Sequence, residues 1–249
     1  MSKKQKVIGV IPARFGSSRF RGKVLADIAG KPMIQWVYER ASQSLTLDQL
    51  FVAVDDQRVL ECVEGFGGMA VITKEDHQSG TDRIAEVVAH IPADIIVNIQ
   101  GDQPLLDPLM IDEAVKALLE DSTVQMSTLK IKIGEAEYSD PSVVKVVVDA
   151  DDFALYFSRS LIPFPRDNVD VNVFEHVGLY VYRKAFLLKI SETPPSYLEQ
   201  IEMLEQLRVL ENGYKIKVVE TQSKHAAGVS VDTRTDLARV EQLINDLNE

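Results

Sequence analysis

The stretch "VIGVIPARFGSSRFRGK", Val7 to Lys23, runs from an apolar segment straight into a loop that belongs in no core. Val7 to Ala13 is apolar throughout, as in a strand buried on both faces. From Ile11 onward, "IPARFGSSRFRGK" carries two glycines, two serines and four cations: Arg14, Arg19, Arg21 and Lys23. A helical pattern, "PMIQWVYERASQS", follows. A buried strand, a basic flexible loop and a helix make the opening of an α/β sheet, in which ligands collect beyond the carboxyl ends of the strands.

The same alternation continues outward from this unit. "LFVAVDD", "MAVIT" and "DIIVNIQGD" read as strands, with "RVLECVEGF" and "DRIAEVVAHI" as helices between them. "DPLMIDEAVKALLED" is a helix with Asp107 as N-cap and Pro108 at its first position. After about residue 125, "VQMSTLKIKI", "VVKVVVDADDFALYFSR" and "VFEHVGLYVYRKAFL" read as long strands with no helix between them. "SYLEQIEMLEQLRVLENG" predicts one strong helix, opened by a Ser196–Glu199 capping box and ended by Gly213. "YKIKVVET" returns to the sheet, and Thr233 with Asp236 caps a final helix. The expected fold is α/β: a mostly parallel, doubly wound sheet with an inserted antiparallel sub-lobe at about 130–205, all within one domain, 1–249.

Composition limits the partners. The chain has 249 residues, 45% of them apolar, and a net charge of -11, which argues against nucleic acid or an anionic membrane as partner. A basic loop in so acidic a chain therefore needs a local reason. The single cysteine, Cys62, excludes an intrachain disulfide and is expected to pack as a small hydrophobe. Arg14 interrupts the apolar N-terminal run, which has no signal-peptide cleavage pattern, and no run approaches the ~18 residues of a membrane span. The expectation is a soluble, cytoplasmic protein.

Four loops follow strands and can carry chemistry. In the first, Gly16 and Gly22 allow close backbone approach, Ser17 and Ser18 offer hydroxyls, and Arg14, Arg19 and Lys23 supply charge, which suits a polyphosphate. It is not a P-loop: Gly22 and Lys23 fall one position late, and Val24 replaces the hydroxyl residue. "KEDHQSGTD" is the second loop. "QGDQPLLD" places Asp102 past an apolar strand, and "VDT" places Asp232 before the last helix. A carboxylate in either place suits Mg²⁺ completed by phosphates and water, and equally suits a turn or a helix N-terminus.

These segments, taken in order, resemble a known family. "IPARFGSSRFRGKVLADIAGKPMI", "DHQSGTDR", "VNIQGDQP", "ALYFSR", "HVGLYVYR", "LEQIEMLEQLRVLENG" and "VDT" are similar to those of the 3-deoxy-D-manno-octulosonate (Kdo) cytidylyltransferases, from about residue 7 to 240. The resemblance implies the nucleotide-diphospho-sugar transferase type of fold and the reaction of CTP with Kdo to give CMP-Kdo and pyrophosphate, with Mg²⁺, for lipopolysaccharide assembly. It implies that Arg14, Ser17 and Lys23 meet the CTP phosphates, and that Gln78, Ser79 and Gly80 line the cytosine and ribose pocket. Asp102 and Asp232 would bind the metal, so that Arg14, Lys23, Asp102 and Asp232 form the catalytic set. The sugar acid would meet Gln100, Arg159, His176, Tyr180, Glu205 and Gln206, with its carboxylate on Arg159. By residue type alone, His176 is equally a buried core histidine, and His90 and His225 carry no motif.

The sequence departs from the family at three positions. Arg21 and Val24 stand where proline is usual, and Gln103 where glutamate is more common. The last opens the alternative of an 8-amino analogue of Kdo or another sugar acid, and a non-catalytic nucleotide-binding protein is the alternative from another class. A homodimer is expected from the exposed antiparallel edge.

Overall fold

Residues 4–16, 20–167, 170–223 and 230–248 are described by the structure, a computed structural model. Its central strand is β1 (Val7–Ala13), followed by a small hairpin of β2 (Asp27–Ile28) and β3 (Lys31–Pro32). Next come α1 (Met33–Ala41), β4 (Gln49–Val54), α2 (Gln57–Gly65), β5 (Ala70–Ile72) and α3 (Gly80–Ala89). Then follow β6 (Ile95–Asn98), α4 (Pro108–Glu120), β7 (Met126–Lys132), β8 (Lys145–Val148) and β9 (Ala154–Ser158). The chain continues with β10 (Phe174–Arg183), α5 (Lys184–Ser191), α6 (Tyr197–Glu202), α7 (Leu207–Glu211), β11 (Lys217–Glu220) and α8 (Arg234–Asn248).

The main sheet runs β11-β7-β10-β6-β1-β4-β5. β1 lies parallel to both β4 and β6, with Gly9 opposite Leu50 and Val97. A strand flanked on both sides and covered on both faces must be apolar at odd and even positions alike. Accordingly Val7, Ile11 and Ala13 enter one core layer, with α1, α2, α4 and α8, and Ile8 and Val10 enter the other, with α3, α5 and α7. Each fully buried Val or Ile contributes ~1.5–3 kcal/mol.

β10 runs antiparallel between β6 and β7, and β8 and β9 form a hairpin off its edge. The segment 130–205 thus supplies a strand to the middle of the sheet as well as a projecting hairpin. The α/β sheet and its antiparallel element match the expected class. The caps at Asp107 and at Thr233 with Asp236 form as expected, and Cys62 is half-buried against the core.

Three expectations are corrected. "VVKVVVDADDFALYFSR" is not one strand but the hairpin of β8 and β9, turned where Asp149 accepts from the N–H groups of Asp151 and Phe153. The end of "VFEHVGLYVYRKAFL" is helical: Lys184–Ser191 is α5. The predicted helix of residues 196–213 is broken into α6 and α7 at Met203, which has φ 55°. Glu199 and Arg208 explain the break. In a continuous helix nine residues span ~13.5 Å and half a turn more than two, on opposite faces. Here Arg208 grips both Glu199 carboxylate oxygens, at 2.6 and 2.8 Å, so the chain must fold back between them.

Candidate active site

The loop after β1 closes on itself through Gly22, whose N–H donates to Phe15 O at 2.9 Å. Gly22 has φ 72°, and a Cβ there would stand 3.0 Å from the Phe15 ring, so this turn requires glycine. The start of the loop is pinned by Phe15 N–H donating to Asp55 at 2.8 Å. These two contacts aim Lys23 inward, and its side chain is only 14% exposed.

Lys23 Nζ donates to Asp102 Oδ2 at 2.7 Å, to Asp232 Oδ1 at 3.1 Å and to Val231 O at 3.1 Å. Asp102 is brought there because Gly101 lies against the end of β1, where a Cβ would come within 2.9 Å of Pro12 O. Asp232 is brought there because Val231 N–H donates to Asp102 O at 2.8 Å and Asp232 N–H to Asp236 at 3.1 Å. Three loops far apart in sequence thus converge on one ammonium.

This cluster forms one wall of a cleft also lined by Arg14, Gln78, Ser79, Gly80 and Gln100. Ser79 caps α3, with its Oγ accepting from Asp82 N–H at 3.1 Å and its own N–H donating to the Asp82 carboxylate at 3.1 Å. The α3 N-terminus therefore faces the cleft with its partial positive charge. A second cleft adjoins the first across Gly80 and Gln100 and is lined by Tyr180, Glu205, Gln206 and Arg208. The break after α6 points Glu205 and Gln206 into it. Burial raises the pKa of the Glu205 carboxyl, opposed by a hydrogen bond from Thr81 and the charge of Arg208.

Among the described residues no three His, Cys, Asp or Glu side chains gather around a metal position. Asp102 and Asp232 alone do converge, already sharing a cation. Two oxygen donors in a cleft also lined by Arg14 and Lys23 fit Mg²⁺, which takes one or two carboxylates and completes its shell with phosphates and water.

The cytidylyltransferase family model matches residues 8–216. The chain is 51% identical to the 3-deoxy-manno-octulosonate cytidylyltransferase of Geotalea uraniireducens (strain Rf4), covering 94% of this chain and 97% of that protein. The chain belongs to the 3-deoxy-manno-octulosonate cytidylyltransferase family. The protein of that name from Syntrophotalea carbinolica (strain DSM 2380 / NBRC 103641 / GraBd1) is 52% identical over 97% of this chain and 99% of its own. A solved structure of CMP:2-keto-3-deoxy-manno-octonic acid synthetase complexed with CTP superposes with a TM-score of 0.92. It is 45% identical and covers 97% of this chain and 99% of its own.

Within this family frame, most residues picked from the sequence meet in the two joined clefts: Arg14, Lys23, Gln78, Ser79, Gly80, Gln100, Asp102 and Asp232, then Tyr180, Glu205 and Gln206. Ser17 lies outside the described residues, as do Ser18, Arg19 and His225. Two residues stand back from the clefts. His176 is 7% exposed and sits behind Gln206, whose Nε2 lies 3.4 Å from its Nδ1. Burial lowers its pKa to about 3, so it is neutral. Arg159 does not line either cleft as expected: its guanidinium donates to Glu202 O and Pro141 O, both at 2.8 Å, and to Met203 O at 3.4 Å.

Two arginines of the clefts, Arg83 and Arg208, escaped the sequence reading, and His77, ambiguous by residue type alone, lines the first cleft. His77 pairs with Glu86. Arg83 is 3% exposed, lines the first cleft and ties Asp55 to the 73–74 loop through Asp55 Oδ2 at 3.2 Å and Lys74 O at 3.1 Å. Its signal was an arginine one turn before Val87, on the buried face of α3. Of the three departures, Val24 is 3% exposed and packs in the core, while Arg21 lies over the Phe15 ring at 5.8 Å.

Proposed function

We propose that this protein transfers the cytidylyl group of CTP to 3-deoxy-D-manno-octulosonate, releasing pyrophosphate and supplying the activated sugar for lipopolysaccharide assembly. The observation that carries the reading is the Lys23 ammonium held between Asp102 and Asp232, in a cleft joined through Gly80 and Gln100 to a second, polar cleft. One cleft suits a triphosphate and the other a hydroxylated acid.

In the reaction the anomeric hydroxyl of the sugar attacks the α-phosphorus. A new P–O bond forms, the bond from the α-phosphorus to the bridging oxygen of the leaving pyrophosphate breaks, and the hydroxyl proton passes to water. The protein's work is positioning and charge neutralisation. Arg14 and Lys23 bind the phosphates, and Lys23 can do so because its donors, shared among two carboxylates and a carbonyl, are open to exchange for phosphate oxygens. Gln78, Ser79 and Gly80 hold the nucleoside at the start of α3. Asp102 and Asp232 would hold Mg²⁺, which when bound neutralises phosphate charge. Gln100, Tyr180, Glu205 and Gln206 orient the sugar, with His176 behind them and Arg159 at the edge of the lobe.

Two further readings complete the proposal. The protein is a homodimer, supported by the exposed apolar side chains of Leu155 on β9 (62% exposed) and Phe164 (79%). It works in the cytoplasm, which is consistent with there being no helix, among the described residues, long and apolar enough to cross a membrane.

The test is pyrophosphate release from each nucleoside triphosphate against a panel of 2-keto sugar acids that includes Kdo and its 8-amino analogue. Turnover with CTP and Kdo is the expected result. Turnover with the amino analogue and not with Kdo would assign the sugar differently, as the Gln103 departure allows. No turnover with CTP and any acid would refute the reaction.

A further inference from the structure

Thr128 lies in β7 with no exposed surface, and its hydroxyl is surrounded by three polar atoms. Leu179 O lies 2.8 Å away, Val177 O 3.1 Å and His176 Nε2 2.9 Å. In a regular strand, carbonyls two residues apart are separated by ~6.6 Å. The register of β10 against β7 shifts between Val177 and Val181, and this bulge turns both carbonyls onto one oxygen.

A hydroxyl has a single proton. With two carbonyls in reach, the Thr128 proton goes to them, and its lone pair faces His176. The ring must then donate from Nε2, which leaves Nδ1 as an acceptor. Gln206 Nε2 donates to that Nδ1 at 3.4 Å, so its amide oxygen is aimed at Tyr180, whose hydroxyl donates to it at 3.1 Å. Tyr180 therefore turns lone pairs, not its proton, toward the cleft. The opposite tautomer would reverse the chain: Gln206 would flip, and the Tyr180 proton would point at the ligand.

We propose that Thr128 is a positioning residue for the sugar cleft, fixing the tautomer of His176 and through it the orientation of Gln206 and the Tyr180 hydroxyl. The sugar part of this inference rests on the reading of the Tyr180–Gln206 cleft as the sugar-acid site. Burial leaves the ring neutral, so the tautomer is its remaining freedom. A hydroxylated acid presents fixed donors and acceptors, so reversing one cleft hydroxyl mismatches it.

The test uses the full chain labelled with ¹⁵N-histidine. Long-range ¹H–¹⁵N correlation reads the tautomer, and loss of one ring in His176→Asn identifies the signal. The expected wild-type result is a proton on Nε2. Thr128→Val, nearly the same shape without the hydroxyl, is expected to shift the ring toward Nδ1–H and to raise the KM for the sugar acid by about tenfold, the scale of one misplaced hydrogen bond. The KM for CTP should stay put, and Thr128→Ser should restore both values. A proton on Nδ1 in the wild type overturns the proposal even if Thr128→Val fails to fold. So does a Thr128→Val protein with an unchanged tautomer or sugar KM. If no sugar acid is a substrate, the reading of the cleft fails, and the tautomer in Thr128→Val alone decides whether Thr128 governs His176.

Discussion

Lys23 Nζ lies 2.7 Å from Asp102 Oδ2, although the two residues are 79 positions apart in the chain. The same ammonium reaches Asp232 from a third loop at 3.1 Å. Converging carboxylates in one cleft would repel each other without that cation, so the arrangement is held for charge rather than for packing. Asp102→Asn and Asp232→Asn should each lower turnover by at least ~10²-fold, the scale of losing one electrostatic stabiliser of a transition state. Circular dichroism should show the fold intact. EDTA should abolish activity and added Mg²⁺ restore it. Wild-type turnover in either variant at saturating Mg²⁺ would end the shared-metal assignment.

Lys23→Ala should weaken CTP binding and also lower kcat, because charge on the leaving pyrophosphate grows in the transition state. A loss of at least about tenfold in kcat/KM is expected for a charged hydrogen bond of this kind. Arg21 supplies the control: it lies over Phe15 and faces no assigned ligand atom, so Arg21→Pro should leave activity within a few-fold. The two variants are compared by steady-state kinetics with CTP varied. A silent Lys23→Ala beside an inactive Arg21→Pro would move the phosphate contacts to the other end of the loop.

Glu175 on β10 gives the protein a pH dependence. Burial raises its pKa, the negative charges of Glu137 and Asp140 add to the rise and Lys145 opposes it, for a value of about 7. A carboxyl with a raised folded pKa holds its proton more tightly folded than unfolded. Its contribution to stability is full below the ordinary carboxylate pKa and is lost as pH rises through about 7. Glu175→Gln copies the protonated form at every pH. The Tm of the wild type relative to this variant should therefore fall between about pH 5 and about pH 8. A Tm difference that does not change over that range would show that Glu175 titrates normally.

Much of this was legible because the residues proposed to bind phosphate are contiguous with the strand that positions them. Val7 to Lys23 carries both the buried strand and the basic loop, so local pattern sufficed there. Asp102 was legible as a strand-end carboxylate and Asp232 as a carboxylate just before the last helix, but not their meeting at Lys23, which depends on Gly101 lying against Pro12. The 196–213 segment was misread because its apolar spacing is helical throughout. Contacts across the break hold the turn at Met203: the buried Glu199–Arg208 pair, and Glu211 accepting from Ser196 Oγ and Leu198 N–H. Similarly α5 begins at Lys184, and its N-cap, Arg183, makes no side-chain capping hydrogen bond to mark the end of β10. The chain of Thr128, His176 and Gln206 spans three elements and a bulge, and no local pattern announces it.

The last prediction concerns Arg159, to which the family resemblance gives the sugar carboxylate. In the structure its guanidinium ties the Pro141 carbonyl to the end of α6 at Glu202 and Met203, and its backbone N–H donates to the Glu202 carboxylate at 3.0 Å. Arg159 thus holds the lobe against the segment that carries Glu205 and Gln206. A lysine keeps the charge but cannot span carbonyls on two sides, so Arg159→Lys should not be neutral. It should lower the Tm by about 2–4 °C for each kcal/mol lost, and raise the KM for the sugar acid while leaving that for CTP nearly unchanged. The measurements are a thermal melt and kinetics with each substrate varied in turn. A raised sugar KM with an unchanged Tm would mean that the guanidinium leaves its carbonyls to take the substrate carboxylate. A lowered Tm with an unchanged sugar KM would make Arg159 a purely structural tie, and Arg208, the cation lining the second cleft, would be the next to test.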